Sequence, residues 1–178
     1  MAGASSPLYY WDTCLFLAWL NDEQRKTGEM DGVREIVARH KRREVRICTS
    51  VLTSIEVLES KIPAGLAPLF LDLLKRVTRI ATDTKVAAVA HGLRDYYAKA
   101  GGKMLTTPDA IHLATAILYR VDEFHTFDND GSGKTLGLLP LSGNVGGHRL
   151  TICKPEARSP QLDLRANKPP SSDPKTTL

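Results

Sequence analysis

The sequence contains only three cysteines, Cys14, Cys48 and Cys153, and they lie far apart in the chain. Zinc sites and disulfide frameworks are usually marked by cysteines at short or regular spacings, such as Cys-x-x-Cys, and this chain has no such pair. The sequence therefore predicts neither kind of site. The expectation is three reduced thiols in a cytoplasmic protein.

Long apolar runs are also absent. The longest candidate extends from Cys14 to Leu20, well short of the ~18 residues that a membrane-spanning helix requires. No basic segment precedes it, so a secretory signal is not expected either. We therefore expect no membrane as a partner.

Negative charge does not balance positive charge: the chain of 178 residues has a formal net charge of +4 at pH 7. This balance is compatible with a nucleic-acid partner but does not require one. The densest basic cluster, RHKRREVR, extends from Arg39 to Arg46. Such a cluster either ends a helix, where cations oppose the negative end of the helix dipole, or contacts phosphates.

The chain divides by composition into a body, residues 1–154, and a tail, residues 155–178. Five of the ten prolines fall in the tail, together with Ser, Thr, Lys and Asp and few apolar residues. A segment of this composition cannot bury enough apolar surface to fold, so the tail is predicted to be disordered. The body is predicted to be one domain.

Strand-like and helix-like segments alternate through the body. The five predicted strands are Pro7–Trp11, Glu44–Cys48, Val77–Ala81, Glu123–Phe127 and Arg149–Cys153. Strands separated by helices pair in parallel through right-handed crossovers. The predicted fold class is α/β, a three-layer α/β/α sandwich around a central, mainly parallel five-stranded sheet.

Several helical segments separate these strands. Thr49 and Ser50 are predicted to cap a helix with Val51, Ile55 and Leu58 on its buried face. Further apolar helical stripes start at Leu66 and at Val86. The sequence Thr107-Pro108-Asp109 then predicts a helix start, with a capping residue before proline.

Four acids lie where a parallel sheet gathers its ligands, near the carboxyl ends of strands. Asp12 follows the first strand, Glu56 lies in the helix after the second, Asp109 lies in the first turn of the late helix, and Asp128 follows the fourth strand. Each acid alone has an ordinary explanation as a cap, turn or surface residue. Together, converging carboxylates would repel one another unless a divalent cation binds them. Hard oxygen ligands select Mg²⁺ or Mn²⁺ over zinc.

The stretch HTFDNDGSGK, which contains Asp128, resembles the first half of a calcium-binding EF-hand loop. Counting from Asp128 places Asp130 and Ser132 at ligand positions and Gly133 at the glycine position, but Leu139 stands where the bidentate glutamate is required. The flanking segments are also not helical. The stretch is therefore not predicted to be an EF-hand, although Asp130 stays a second candidate for the oxygen that Asp128 is expected to supply.

Four motifs occur in order along the chain: YYWDTCLF, TSVLTSIEVLE, TTPDAIHLATAI and FHTFDND. Together they resemble the PIN-domain ribonuclease family, and within it the VapC-type toxins of toxin–antitoxin pairs, and the resemblance covers about residues 8–153. It implies an acidic tetrad at Asp12, Glu56, Asp109 and Asp128. The sequence departs from the family pattern at Cys14, where many members carry a polar residue such as Asn.

The resemblance implies a metal-dependent endoribonuclease that uses Mg²⁺ or Mn²⁺ and leaves a 5′-phosphate and a 3′-hydroxyl. Thr13 and Thr126 would support the metal ligands. His112, three residues after Asp109, is either a partner of these ligands or a buried polar residue satisfied by hydrogen bonds. An antitoxin partner and a homodimer are further implications of the resemblance.

Basic residues near the site would hold the RNA backbone, and the candidates are Arg42, Arg43 and Lys134. The alternative function is a non-catalytic PIN-like module that binds RNA or protein. Loss of a tetrad acid would mark such a module, and here all four acids are present. A haloacid-dehalogenase phosphatase is excluded because it requires a second Asp where this chain has Cys14.

Overall fold

The structure is a computed structural model that describes residues 6–25, 28–131 and 133–157. Its strands are β1 (Leu8–Trp11), β2 (Arg46–Ser50), β3 (Thr78–Ile80), β4 (Glu123–His125) and β5 (Ile152–Cys153). Its helices are α1 (Thr13–Leu20), α2 (Glu29–Lys41), α3 (Thr53–Glu56), α4 (Ala67–Arg76), α5 (Thr84–Ala100) and α6 (Thr107–Leu118), with short 3₁₀ helices at Glu59–Lys61 and Leu139–Leu141.

The five strands form one sheet in the order β3-β2-β1-β4-β5, and every neighbouring pair is parallel. The predicted five-stranded α/β/α sandwich is confirmed. The chain builds outward from β1 through β2 to β3, and then returns to the other side of β1 to add β4 and β5. Strand order therefore reverses at β1, and in open parallel sheets ligands bind at the carboxyl ends beside such a reversal.

Alternation along β1 sends its side chains to two separate cores. Tyr9 and Trp11 face the core formed with α1, α2 and α4, whereas Tyr10 faces the core formed with α5 and α6. Both cores contain fully buried aromatic rings, and Tyr10 stacks on Phe124 of β4 with ring centroids 5.0 Å apart. The sheet is therefore covered on both faces, as parallel sheets require.

The prediction of a helix after the second strand is wrong in two respects: the helix is shorter than predicted, and its apolar residues are not buried. Thr49 and Ser50 belong to β2, and α3 is a single turn that ends at Glu56. Thr49 donates a hydrogen bond to the carbonyl of Trp11 at 2.8 Å instead of capping a helix. Ile55 and Leu58 are 70% and 54% exposed, so the apolar spacing here describes surface residues.

The late helix, and its capping residue with it, begins one residue earlier than predicted. Thr106, not Thr107, is the N-cap residue, and its hydroxyl accepts a hydrogen bond from the backbone N–H of Asp109. Pro108 lies in the first turn, where a missing N–H costs nothing. The start of α6 is therefore set by a side chain that also holds Asp109.

After β5 the chain continues across α2. Pro155 is buried, and its carbonyl occupies the space that a Cβ on Gly32 would require. Only glycine allows this close approach. Pro155 thus packs against α2, and most of the predicted tail, from residue 158 onward, lies outside the described residues. Within the described part of the chain, no helix is long and apolar enough to cross a membrane.

Candidate metal centre at the carboxyl edge of the sheet

Asp12 leaves β1 at the point where strand order reverses and begins α1. Its Oδ1 accepts a hydrogen bond from the backbone N–H of Thr13 at 2.6 Å, and its Oδ2 accepts one from Thr126 Oγ1 at 2.8 Å. Cys14 Sγ donates to the same Oδ2 at 3.3 Å. Asp12 is 8% exposed, so its carboxyl group is at once a helix cap and a buried group held in one orientation.

Glu56 reaches the same edge from the end of α3. Its Oε2 accepts hydrogen bonds from Thr13 Oγ1 and from His112 Nε2, the latter at 2.8 Å. Burial alone would raise the pKa of Glu56, but the hydrogen bond and charge of His112, together with the Thr13 hydroxyl, outweigh it and lower the pKa. Glu56 is therefore held as a carboxylate, although it lies near the apolar core.

His112 connects Glu56 to the interior of the protein. It is 1% exposed, and its Nδ1 lies 2.6 Å from the hydroxyl of Tyr10. That hydroxyl in turn accepts a hydrogen bond from the backbone N–H of Ser50 at 2.9 Å. A chain of polar contacts thus extends from β2 through Tyr10 and His112 to Glu56, and both ring nitrogens of His112 have partners.

Asp109 and Asp128 complete the acidic group from α6 and from the loop after β4. Thr106 Oγ1 donates a hydrogen bond to Asp109 Oδ2. Asp128 Oδ1 accepts from the backbone N–H of Gly131 at 3.3 Å, and the backbone N–H of Asp128 donates to Thr126 Oγ1 at 3.0 Å. Thr126 therefore contacts both Asp12 and Asp128 and sets their relative positions.

The three aspartates repel one another in the absence of a cation. Burial raises the pKa of Asp109, and the negative charges of Asp12 and Asp128 add to this increase, against the hydrogen bond from Thr106. Burial likewise raises the pKa of Asp128, against backbone hydrogen bonds from Gly131 and Leu138 that lower it, and the negative charges of Asp12 and Asp130 add to the increase. Mutual repulsion of carboxylates is relieved when a divalent cation binds between them.

The donor set is suited to Mg²⁺ or Mn²⁺, because all the candidate ligand atoms are carboxylate oxygens. The group is open: within the described ranges, the only set of three potential ligand atoms within 4.8 Å of one another is Glu123, His125 and Cys153, elsewhere in the sheet. An open carboxylate group still fits Mg²⁺, which keeps several waters and is usually bound through one or two protein carboxylates.

Asp130 and Lys134, two further residues that were predicted from the sequence to belong to the site, lie at the surface of the loop that carries Asp128. Asp130 is exposed, and its backbone carbonyl accepts a hydrogen bond from Lys103 Nζ at 2.8 Å. Lys134 is exposed on the same side, where its carbonyl accepts from the backbone N–H of Met104. These two lysines, of which Lys103 was missed, flank the loop that carries Asp128.

Arg42 and Arg43 are not brought to the carboxylates. They precede β2, and the parallel register pairs Arg46 with Leu8 at the amino end of β1. Asp12 follows the carboxyl end of β1, so the two arginines lie at the opposite edge of the sheet. Arg42 is also paired with Glu44. Their expected role in holding RNA beside the site is therefore not supported by their position.

Sequence reasoning missed two residues that position the acids, Thr106 and Tyr10. A local signal for Thr106 exists, since a threonine three residues before an acid at a helix start is a capping pattern. Tyr10 carries no such signal, because it meets His112 only through the packing of α6 on the sheet.

Comparisons with known proteins agree with this architecture. A model of the PIN domain family matches residues 9–132, and no curated protein sequence matches the chain. Several solved structures are similar in fold, and three of them are given below. A toxin-antitoxin complex from Klebsiella pneumoniae has 20% identity and a TM-score of 0.54, and the match covers 86% of this chain and 100% of the other.

The second is VapBC2 from Rickettsia felis, bound to a DNA fragment from their promoter, with 17% identity, a TM-score of 0.58, and coverage of 82% of this chain and 98% of the other. The third is FitAcB from Neisseria gonorrhoeae, with 17% identity, a TM-score of 0.50, and coverage of 83% and 97%. At such identities these likenesses concern the fold alone. The family model spans most of the described chain, from β1 to the loop after Asp128, and the protein belongs to the PIN domain family.

Proposed function

We propose that the protein is a metal-dependent endoribonuclease that hydrolyses RNA phosphodiester bonds at the carboxyl edge of its sheet. The observation that carries this proposal is the group of Asp12, Asp109 and Asp128, in which neighbouring negative charges help to raise the pKa of two members. Side chains placed so that they destabilise one another are typical of functional sites. Membership of a family generally composed of nucleases supports the same conclusion.

In this proposal Asp12 and Asp109 hold Mg²⁺ or Mn²⁺, and Glu56 and Asp128 complete the ligand set or orient water. When bound, the ion would lower the pKa of a water molecule and stabilise negative charge on the scissile phosphate. Thr126 fixes Asp12 Oδ2, and Thr106 fixes Asp109 Oδ2. These hydroxyls keep the carboxylates in place while the remaining lone pairs stay available.

Glu56, which His112 and Thr13 keep ionised, is the proposed acceptor of a proton from the attacking water. Both hydrogen bonds described for its carboxylate go to Oε2, so Oε1 can receive the proton. His112 Nε2–H stabilises the carboxylate before transfer. As the water oxygen bonds to phosphorus, the P–O3′ bond breaks and the 3′ oxygen takes a proton from solvent water, which leaves a 5′-phosphate and a 3′-hydroxyl.

Lys103 and Lys134 are proposed to hold the phosphates that flank the cut. Both are exposed beside the Asp128 loop, and Lys103 is held there by its hydrogen bond to the Asp130 carbonyl. Positive charge on the rim would offset the repulsion between the acidic group and the RNA backbone.

The test is cleavage of a pool of structured RNAs with Mg²⁺, Mn²⁺ or EDTA, by the wild-type protein and by the Asp12→Asn and Asp109→Asn variants. We expect cleavage by the wild type that EDTA abolishes and that each substitution lowers by on the order of 10³-fold, as expected for loss of several kcal/mol of metal-derived stabilisation. Asp95→Asn, which removes an exposed acid paired with Lys99 on α5, is the matched control.

Absence of cleavage with both metals, or full activity in both site variants, would overturn the nuclease proposal. RNA binding without cleavage would favour the alternative, a non-catalytic PIN-like module. Retention of all four acids, each with hydrogen-bond partners, argues against that alternative.

A toxin role with an antitoxin partner is proposed as the biological setting. Two structures with the same fold are described as a toxin-antitoxin complex and as VapBC2. This chain carries exposed apolar side chains around α3 and on the neighbouring side of α4, at Ile55, Leu58 and Leu71. Such a surface suits the apolar face of a partner protein.

Expression of the wild-type chain in a bacterial host is expected to arrest growth, whereas Asp12→Asn is not. Co-expression with the product of the neighbouring open reading frame should restore growth and yield a stable complex.

Leu71→Lys tests the apolar surface. It should prevent rescue while RNA cleavage by the isolated variant is unchanged. Rescue of Leu71→Lys as complete as that of the wild type would place the partner elsewhere, and light scattering of the isolated chain would show whether the same surface pairs two copies.

A further inference from the structure

Glu123, His125 and Cys153 form a second group of potential metal ligands, on β4 and β5. One ligand atom from each lies within 4.8 Å of the other two. Glu123 and His125 are two residues apart on β4 and so face the same side of the sheet, and the register pairs His125 with Cys153 on β5. The parallel sheet thus brings together residues that are 28 positions apart in the sequence (125 to 153).

The contacts within this group share one carboxylate oxygen. Glu123 Oε2 lies 2.7 Å from His125 Nε2 and 3.8 Å from Cys153 Sγ. The imidazole is 1% exposed, and its Nδ1 has no hydrogen-bond partner in the described structure. The buried imidazole therefore makes its one hydrogen bond in the described structure to Glu123. A cation bound between the three side chains would replace the protons that His125 Nε2 and Cys153 Sγ share with the Glu123 carboxylate.

We propose that Glu123, His125 and Cys153 bind a divalent cation of the zinc class, at a site separate from the acidic edge. Carboxylate, imidazole and thiolate ligands together are typical of Zn²⁺ and Co²⁺, and Mg²⁺ avoids thiolates. The Cys153 thiol and the imidazole lose or shift their protons on binding, and the thiol proton is released to solvent.

An open cavity of about 270 Å³ beside the group gives the cation access from solvent. Its lining residues are Tyr9, Ile36, Arg39, Glu123, Cys153, Lys154 and Glu156. The two cations of this lining have partners: Lys154 Nζ lies 2.6 Å from Glu29, and Arg39 Nε lies 3.8 Å from Glu44. Glu156 or a water molecule is available as the fourth ligand of a tetrahedral site.

Binding would connect this site to the acidic edge through the backbone. β5 is an edge strand of two residues, and a cation bound to Cys153 would attach it to β4. The carbonyl of His125 accepts a hydrogen bond from the backbone N–H of Asp12 at 3.1 Å, and Thr126 follows directly. The proposed role is therefore structural, since the ion would hold in place the strand that leads to Thr126 and Asp128.

The test is titration of the reduced, metal-free full-length protein with Co²⁺, whose bond to a thiolate produces a charge-transfer absorption in the near ultraviolet. The wild type should develop this absorption, together with the visible bands of a tetrahedral ion. Zn²⁺ added afterwards should displace Co²⁺ and remove both. The double variant Asp12→Asn/Asp109→Asn should behave like the wild type, since it alters only the acidic edge.

Two cysteine variants decide which thiol binds the ion. Cys153→Ser should lose the charge-transfer absorption, and Cys14→Ser should keep it. The reverse pattern would overturn the proposal, because Cys14 contacts Asp12 and the thiolate signal would then come from the acidic edge. Absence of the absorption in the wild type would overturn it as well.

Glu123→Gln provides a second variant, in case serine at position 153 disturbs folding. Its side chain is 39% exposed and lines the cavity, so we expect the folded structure to tolerate the substitution. We expect weaker Co²⁺ binding and loss of the increase in Tm that Zn²⁺ gives the wild type. Unchanged Co²⁺ affinity and unchanged Zn²⁺ stabilisation in Glu123→Gln would contradict the proposal.

Discussion

Nε2 of His112 lies 2.8 Å from Oε2 of Glu56, although the two residues are 56 positions apart in the chain. The pair joins α6 to the end of α3 across the carboxyl edge of the sheet. Burial tends to lower the pKa of His112, but its hydrogen bond with Glu56 and the charges of Asp12, Glu56 and Asp109 outweigh burial and raise it. His112 is therefore a positioning residue that acts on the acidic group through Glu56.

Replacing His112 tests this role. His112→Ala should lower RNA cleavage by on the order of 10–100-fold, the usual cost of losing a partner of a metal ligand. His112→Gln should recover part of the rate, because its amide can still donate to Glu56. The measurement is the initial rate against Mg²⁺ concentration and pH, with the exposed His148→Ala as control. Equal rates and equal pH profiles for the alanine and glutamine variants would contradict positioning through Glu56.

Thr126 is expected to matter more than its size suggests. Thr126→Val keeps the shape but removes the hydroxyl that donates to Asp12 and accepts from the Asp128 backbone. Loss of a partner by these buried groups should cost about 1–3 kcal/mol of unfolding free energy and reduce cleavage. Urea unfolding and cleavage rates measure the two effects. The control is Thr115→Val, since Thr115 is also buried but its hydroxyl donates to the carbonyl of Ile111, within its own helix and away from the acids.

Asp109→Asn should raise the thermal stability of the metal-free protein while abolishing cleavage. Burial and the charges of Asp12 and Asp128 raise the pKa of Asp109, so the folded state binds this proton more tightly than the unfolded chain does. Protonation of Asp109 therefore stabilises the folded state. This stabilisation is fully present below the pKa of the unfolded chain, about 3.9, and is lost as the pH rises through the pKa of the folded state. The gain in Tm should therefore be larger at neutral pH than at acid pH.

Calorimetry in EDTA at several pH values checks this expectation. Asp95→Asn is again the control, because the hydrogen bond to Lys99 lowers the pKa of Asp95 and its removal should bring no gain. A lower Tm for Asp109→Asn than for the wild type at neutral pH would show that the carboxylate stabilises the metal-free fold.

The two rim lysines should affect RNA binding and not chemistry. The double variant Lys103→Gln/Lys134→Gln is expected to raise KM with kcat unchanged, and to reduce the salt dependence of single-strand binding by about 0.7 in slope for each phosphate that the variant no longer neutralises. Filter binding at several salt concentrations measures this. Arg42→Gln/Arg43→Gln, at the opposite edge of the sheet, should match the wild type. An equally large effect of this variant would show that RNA also contacts that edge, and would contradict the role assigned to the two lysines.

The thiols should be slow to react in the folded protein. Burial raises the pKa of Cys48 to about 12, and burial together with Glu123 and Glu156 raises that of Cys153 to about 12. Because the thiolate is the reactive form, alkylation at pH 8 should be far slower in the folded than in the denatured protein. Mass spectrometry of metal-free protein follows each site. Alkylation of Cys153 at the denatured rate would contradict its assigned environment.

Much of the fold could be predicted from the sequence because strands, helices and helix starts depend on residues that are close together in the chain. Alternating strand and helix segments require parallel pairing, and that pairing is confirmed for all five strands. The start of α6 was predicted to within one residue by the capping pattern around Pro108. The segment after β2 was predicted wrongly, since the spacing of Ile55 and Leu58 cannot distinguish a buried helix face from an exposed apolar surface.

The sequence by itself determined which acids lie near strand ends, because that depends only on where each strand stops. Tertiary structure alone decided what each acid touches. The hydroxyl of Thr126 lies between Asp12 and Asp128, and His112 reaches both Tyr10 and Glu56. It also decided that Cys153 joins Glu123 and His125, where the cysteine spacing predicted no metal site. The physical reason is that strand order and register, which no local pattern encodes, place distant side chains within bonding distance.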